Sequence, residues 1–202
     1  MLPNGPFRLY VPGEAGVKKL MDQSSPGAGV PYWARLWPSA IALAAYLQKH
    51  PDVLTGRVVM ELGAGLGLPS LVASGMADSV WCSDIDSGAM EIAGKSAGLN
   101  KLKNIRFETC NWNHLPAGFE ADLVLMSDVN YDPNIFDRLE KVMHNILDKG
   151  FVLLLASPHR LMAKPFIERL MPFVSKQETA EVNLGPDCVP ISIFTLQKSK
   201  WL

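Results

Sequence analysis

The chain has 202 residues, 48% of them hydrophobic, which suffices for one well-buried core in a single domain. A formal net charge of −1 and a pI near 6.4 exclude the sustained basic field of a protein that grips nucleic-acid phosphates. The N-terminus lacks a charged-then-apolar signal pattern, and runs such as "FVLLLA" (151–156) are too short to span a bilayer, so no membrane partner is expected. Cys82, Cys110 and Cys188 are odd in number and widely spaced. Two of them lie in apolar-rich segments and read as small buried hydrophobes, which points to a reducing compartment and hence the cytoplasm. The four histidines form no ligand-spaced cluster, so no metal is expected.

In chain order, residues 1–30 come first and read as an irregular arm, because Pro3, Pro6, Pro12 and Pro26, with the glycines among them, punctuate regular structure. A single domain is expected over 31–202. "WPSAIALAAYLQKH" opens a helix at Pro38, with Ala40, Leu43, Ala44 and Leu47 as its apolar stripe. Strands and helices then alternate. "RVVMEL" (57–62) predicts a buried strand and a helix follows from about Pro69. "SVWCSD" (79–84) is a second strand, with a small-residue helix from Ser87 to about Leu99. "NIRFETC" (104–110) is a third strand and "ADLVLMSD" (121–128) a fourth. Asp132 and Pro133 then begin a helix with Phe136, Leu139, Met143 and Ile146 along one face. "GFVLLLAS" (150–157) is a fifth strand, followed by the short helix "RLMAKPFIERL". The tail, "SKQETAEVNL" and "VPISIFTLQ", alternates in strand fashion and predicts a closing antiparallel pair. The class is α/β: a mostly parallel sheet covered by helices on both faces.

"ELGAGLGLPS" (61–70) joins the first strand to its helix. Glycines there let a ligand approach the backbone closely. Gly63 and Gly65 fit the dinucleotide fingerprint, but its last position is Leu68, and Gly67 comes one place early. No lysine follows, so the loop is not a P-loop either. Glu61, an acid just before the glycines, fits a ligand that brings a positive group. Asp84 closes the second strand about twenty residues after the loop, where Rossmann-type sites hold an acid against ribose hydroxyls. It could instead cap the next helix, although Asp86 and Ser87 are better placed for that. Together these residues describe a nucleoside with a cationic extension, the shape of S-adenosylmethionine. At the end of the fourth strand Asp128 and Tyr131 suit an amine held by a carboxylate and an aromatic face. Alternatively, Asp128 caps a turn and Tyr131 staples a helix. Taken alone, Trp37 reads as a core aromatic sooner than as a ligand contact.

With these segments the chain resembles the seven-β-strand methyltransferases that use S-adenosylmethionine. Within them it is similar to the protein-lysine methyltransferases called methyltransferase family sixteen and their bacterial relatives. "PYWARLWPSAIALAAYL" (31–47), "VVMELGAGLGLPS" (58–70), "WCSDID" (81–86) and "LVLMSDVNYDP" (123–133) carry the resemblance. It implies a Rossmann-like methyltransferase fold with a seven-stranded, mostly parallel sheet. It also implies that Gly63, Ala64 and Gly65 line the methionine and ribose, that Asp84 takes the ribose hydroxyls, and that Ile85 packs on adenine. Trp37 would border the cofactor, Trp112 would lie near the adenine, and Ser127 would offer backbone contacts. Asp128 and Tyr131 would face the substrate amine. The expected reaction is methyl transfer to a lysine of a protein partner by a monomer or weak oligomer, with a small-molecule amine as the rival acceptor. A nicotinamide oxidoreductase is disfavoured by the displaced third glycine. A nucleic-acid amino-methyltransferase is disfavoured by Ser-Asp-Val-Asn-Tyr where Asn-Pro-Pro-aromatic would be expected. A non-catalytic cofactor-binding module remains the alternative from another class.

Overall fold

The computed structural model describes residues 7–23, 30–115 and 119–198. Its centre is a seven-stranded sheet of β1 (Val58–Leu62), β2 (Ser79–Asp84), β3 (Ile105–Thr109), β4 (Leu123–Ser127), β5 (Val152–Pro158), β6 (Val174–Leu184) and β7 (Asp187–Leu196). The spatial order is β3-β2-β1-β4-β5-β7-β6. The first five strands are parallel, and β7 runs antiparallel to both β5 and β6. The closing hairpin turns at Gly185, whose φ of 62° suits a residue without a Cβ. Its second strand, not its first, inserts beside β5. Pro190 pairs with Glu181 of β6 just before β7 meets β5 at Ile191, so its missing N–H costs no bond to that neighbour.

Strand side chains alternate between two cores. Val59, Leu123, Leu125, Leu154 and Ala156 face α2 (Pro38–Lys49) and α3 (Leu68–Ala73), packing on Leu43, Leu47 and Val72. Met60, Leu62, Val124, Met126, Leu153 and Leu155 face α5 (Phe136–Asp148) and α6 (Lys164–Leu170). The predicted stripe of Phe136, Leu139, Met143 and Ile146 is buried there. Each such leucine is worth about 1.5–3 kcal/mol when fully buried. This two-sided burial explains why β4 reads as a continuous apolar run. The helix Ser87–Leu99 (α4) covers β2 and β3 through Ala89, Met90 and Ala93.

The N-terminal arm departs from the irregular chain expected. Glu14–Gln23 forms a helix, α1. Before it, the chain lies against the end of α4: Arg8 N–H donates to Asn100 Oδ1 at 3.0 Å, and Tyr10 N–H donates to Ser96 Oγ at 3.0 Å. Pro12 stops short of the helix, which leaves ten residues free of proline. The rest of the arm, 1–6 and 24–29, lies outside the described residues. Among the described residues, no helix is long and apolar enough to cross a membrane and no carboxylate–histidine–cysteine group could hold a metal.

The sheet order reverses between β1 and β4, so the chains leaving their carboxyl ends diverge and open a crevice.

Candidate active site

A cleft of about 810 Å³ occupies that crevice. Trp37, Gly63, Ala64, Gly65, Asp84, Ile85, Trp112, Ser127, Asp128 and Tyr131 all line it. Glu61 does not.

The glycine loop is built for close approach. Gly63, Gly65 and Gly67 have φ of 66°, 55° and 73°, a region L side chains rarely adopt. A Cβ on Gly63 would stand 2.8 Å from the Trp112 ring, and one on Gly65 3.2 Å from the Trp33 carbonyl oxygen. Gly67, displaced from the dinucleotide pattern, precedes α3 and packs against β2 and α4: a Cβ there would lie 3.0 Å from Cys82 Sγ and 3.2 Å from Ala93. It therefore does the helix–strand packing assigned to the third glycine of that pattern, one residue early.

Asp84 sits on the cleft floor and is 7% exposed. Its Oδ2 accepts from Gly65 N–H at 2.8 Å and its Oδ1 from Asp86 N–H at 3.0 Å. Each oxygen keeps a lone pair for a further donor. Burial raises its pKa above the ordinary carboxylate value, and these N–H donors partly offset the rise. The helix cap falls to Asp86, whose Oδ1 accepts from Gly88 N–H at 2.8 Å. Ile85, 68% exposed, and the Trp112 ring present apolar surface beside it.

Glu61 corrects the expectation that it faces a cationic ligand. Its Oε2 accepts from Ser70 Oγ at 2.6 Å and Ser70 N–H at 2.9 Å, and the side chain is fully buried behind the loop. Strand alternation turns it toward α3 rather than out of the strand's end. Burial pushes its carboxyl up from 4.5 to about 8, with Ser70 opposing and Asp84 reinforcing the rise. The folded chain thus keeps a proton between pH 4.5 and 8 that the unfolded chain has lost. Stability from this group must fall as pH rises through that window, by as much as about 5 kcal/mol. Replacing Glu61 with Gln, which keeps an acceptor for Ser70, is expected to flatten the stability-versus-pH curve and stabilise the fold at pH 8. Denaturant titrations at several pH values check this; parallel curves for the two proteins would refute the buried-proton account.

At the other wall, Ser127 ends β4 and Asp128 follows with φ 58°, a left-handed conformation that aspartate and asparagine adopt more readily than most residues other than glycine. Its amide donates to Ala156 O at 3.0 Å. The carboxylate does not stand free, as the residue pattern suggested: Oδ1 is ion-paired with Arg160 Nη1, and Oδ2 is buried without a partner. The next turn is tied to β5 by Asn130 Nδ2, which donates to Ser157 Oγ at 2.9 Å. Asp132 Oδ1 accepts from Asn134 N–H at 2.9 Å and caps a 3-10 turn, Pro133–Ile135, ahead of α5.

Tyr131, 46% exposed, lies 5.5 Å from Tyr32 between ring centroids, and Tyr32 lies 6.3 Å from Trp37. Trp37 Nε1 donates to Tyr32 O at 2.9 Å. Burial raises the Tyr131 phenol above its ordinary pKa, with Asp132 and Asp84 adding to the effect, so it stays neutral. Residue spacing does not single out Tyr32, Trp33 or Arg160, yet all three line the cleft. A second aromatic pair just before Trp37 was the available signal for the first two. Nothing local signals Arg160.

Residues 22–173 match the protein family described as lysine methyltransferase, and the chain belongs to that family. The electron transfer flavoprotein beta subunit lysine methyltransferase of Xenopus laevis is 30% identical over 164 residues, covering 78% of this chain and 66% of that protein. The histone-arginine methyltransferase METTL23 of Rattus norvegicus is 30% identical over 127 residues, covering 60% of this chain and 56% of that protein. The chain thus spans between about half and two thirds of these curated relatives. Among solved structures, a putative RNA methyltransferase from Pyrococcus horikoshii superposes with TM-score 0.64 at 18% identity, covering 92% of this chain and 99% of that one. The N-methyltransferase NodS from Bradyrhizobium japonicum superposes with TM-score 0.63 at 11% identity, covering 80% and 98%. These likenesses establish the Rossmann-like methyltransferase fold.

Proposed function

We propose that the chain is an S-adenosylmethionine-dependent methyltransferase that acts on an amine, the side chain of a lysine in a protein partner. The observation that carries this reading is the juxtaposition in one cleft of a glycine-lined floor ending at Asp84 with a rim of Tyr32, Tyr131 and Asp128. Family membership supports the chemistry, and the relatives' names place their reactions on protein nitrogen. The missing Cβ atoms of Gly63 and Gly65 let the Trp112 ring and the Trp33 backbone close on the loop at the cleft floor, and the open lone pairs of Asp84 beside it fit the hydroxyls of a ribose.

When bound, S-adenosylmethionine supplies an activated methyl group on sulfur. The chain's own part is to bind, orient and desolvate. Gly63, Ala64 and Gly65 would offer backbone contact, Asp84 would accept from two ribose hydroxyls, and Ile85 and Trp112 would sandwich the adenine. Trp37 and Ser127 would close the sides. Glu61 supports the loop from behind through Ser70 and touches no ligand. A lysine amine has an ordinary pKa of about 10.4 and must shed a proton to become nucleophilic. Asp128 lines the cleft wall and would orient the ammonium by its negative charge. The Tyr131 ring would hold the cationic head at about 0.5–2 kcal/mol, more as water leaves. The three free cysteines support a reducing compartment, and we place the protein in the cytoplasm on that ground.

Incubating the purified chain with methyl-labelled cofactor and a cell lysate, then separating proteins from small molecules, tests the reading. Label is expected in a protein band and, after hydrolysis, in methyl-lysine. Label confined to small molecules would transfer the assignment to a small amine. Cofactor binding without any transfer would reduce the chain to a binding module.

A further inference from the structure

A carboxylate is a mixed aid to an amine that must lose a proton. Its charge draws the ammonium in, but the same charge favours the protonated form and keeps the nitrogen lone pair out of reach. The cleft wall moderates that charge. Arg160 lines the cleft with Asp128 and Tyr131, and its Nη1 is ion-paired with Asp128 Oδ1. The arginine backbone is fixed: its N–H donates to Pro158 O at 2.8 Å, and its carbonyl accepts from Ala163 N–H at 3.0 Å. The Asp128 side chain is 5% exposed against 30% for Arg160, so the acid is the more deeply set of the two.

The other charged and titratable groups nearby are engaged elsewhere or lie apart from the pair. On the floor, Asp84 and Asp86 accept from N–H groups, and Cys110 follows β3. Asp132 caps its 3-10 turn, and Tyr131 meets Tyr32 at the rim. Arg35 lies 5.1 Å over the Trp37 ring, and Arg138 lines the cleft from α5. Farther along α5, Asp137 and Glu140 share Arg169, with Lys141 beside Asp137. His159 Nε2 is 2.8 Å from Ser192 Oγ on β7. Among the described residues, Arg160 is the one cation ion-paired with Asp128.

We propose that Arg160 is a positioning residue for methyl transfer. Fixed on Asp128, it limits how strongly that carboxylate holds the acceptor ammonium: enough to orient it on arrival, too little to keep it protonated. The proton passes to water. The nitrogen lone pair then forms the N–C bond while the C–S electron pair leaves with sulfur. This rests on the protein-lysine reading above and assigns a part in it to Arg160.

The test uses Arg160→Gln, which removes the charge and keeps a donor, and Arg160→Lys, which keeps the charge. Without acceptor or cofactor, denaturant unfolding of Arg160→Gln, Asp128→Asn and the double variant measures the coupling in the pair. It is expected to be at least about tenfold in the folding constant. With labelled cofactor and lysate protein as acceptor, turnover is followed from about pH 7 to about pH 10. In Arg160→Gln the rise of turnover with pH should move up by about one unit, because a positive charge near the amine is gone. Turnover near neutral pH should fall about tenfold and recover at high pH, while the acceptor KM does not rise. Arg160→Lys should return the rise to its parental position. An unmoved rise in Arg160→Gln, a loss that high pH does not recover, or unfolding without coupling would overturn the proposal. If the parent chain methylates lysate protein and Arg160→Gln behaves like it, only the part of Arg160 is removed. No transfer by the parent chain removes the protein-lysine reading with it.

Discussion

Changing Asp84 to alanine is expected to weaken S-adenosylmethionine binding by at least about a hundredfold. The carboxylate has two functions that alanine cannot replace. Its oxygens anchor Gly65 N–H and Asp86 N–H, which holds the glycine loop against the end of β2. Their remaining lone pairs are acceptors on the cleft floor for a pair of vicinal hydroxyls. Hydrogen bonds to charged groups contribute about 1.5–3 kcal/mol each. Two of them together correspond to a hundredfold or more in affinity. Asp84→Asn keeps the side-chain shape and should lose less. Calorimetry on both variants, with thermal melting to confirm that the sheet is intact, decides the matter; Asp84→Ala with affinity within about threefold of the parent would remove the ribose assignment.

The second large effect concerns Asp128 and Tyr131. Asp128→Asn is the clean variant, because asparagine tolerates the positive φ that alanine would strain. It is expected to lower turnover on a protein acceptor about a hundredfold while cofactor affinity changes less than threefold. Tyr131→Ala should raise the acceptor KM and lower turnover by removing the ring beside Tyr32. Interactions made only with the acceptor must separate in this way from those made with the cofactor. If both variants lose cofactor binding and turnover in equal measure, Asp128 and Tyr131 belong to the cofactor pocket instead.

Arg160 complicates the simple picture of Asp128 as a free acid waiting for an amine. An unpaired carboxylate with a side chain only 5% exposed would be costly, and the guanidinium relieves that cost from one side. The pair also joins the end of β4 to the turn after β5, so the acid and the exposed Leu161 and Met162 share one support.

Much of this was readable along the chain. The order of strands and helices, the two-faced burial of β4 and the stripe of α5 follow from apolar periods of two and of about four residues, which each segment carries within itself. The positive-φ turn at Gly63, Gly65 and Gly67 likewise needs only those residues, and the interval to Asp84 follows from one strand–helix–strand unit. The helix Glu14–Gln23 was hidden because prolines and glycines on either side dominate the composition of the arm.

What the linear chain determined by itself is therefore the local conformation of each element and the placing of Gly63, Gly65, Asp84, Asp128 and Tyr131 at strand ends. Those properties depend on neighbouring residues, and a parallel sheet then collects its strand ends at one edge. Only the tertiary structure decided that β7 inserts beside β5, that Glu61 turns to Ser70, and that Arg160 closes on Asp128 from 32 positions away. Such pairings depend on which segments burial brings together and which charges it forbids to stand alone, and no local period records either.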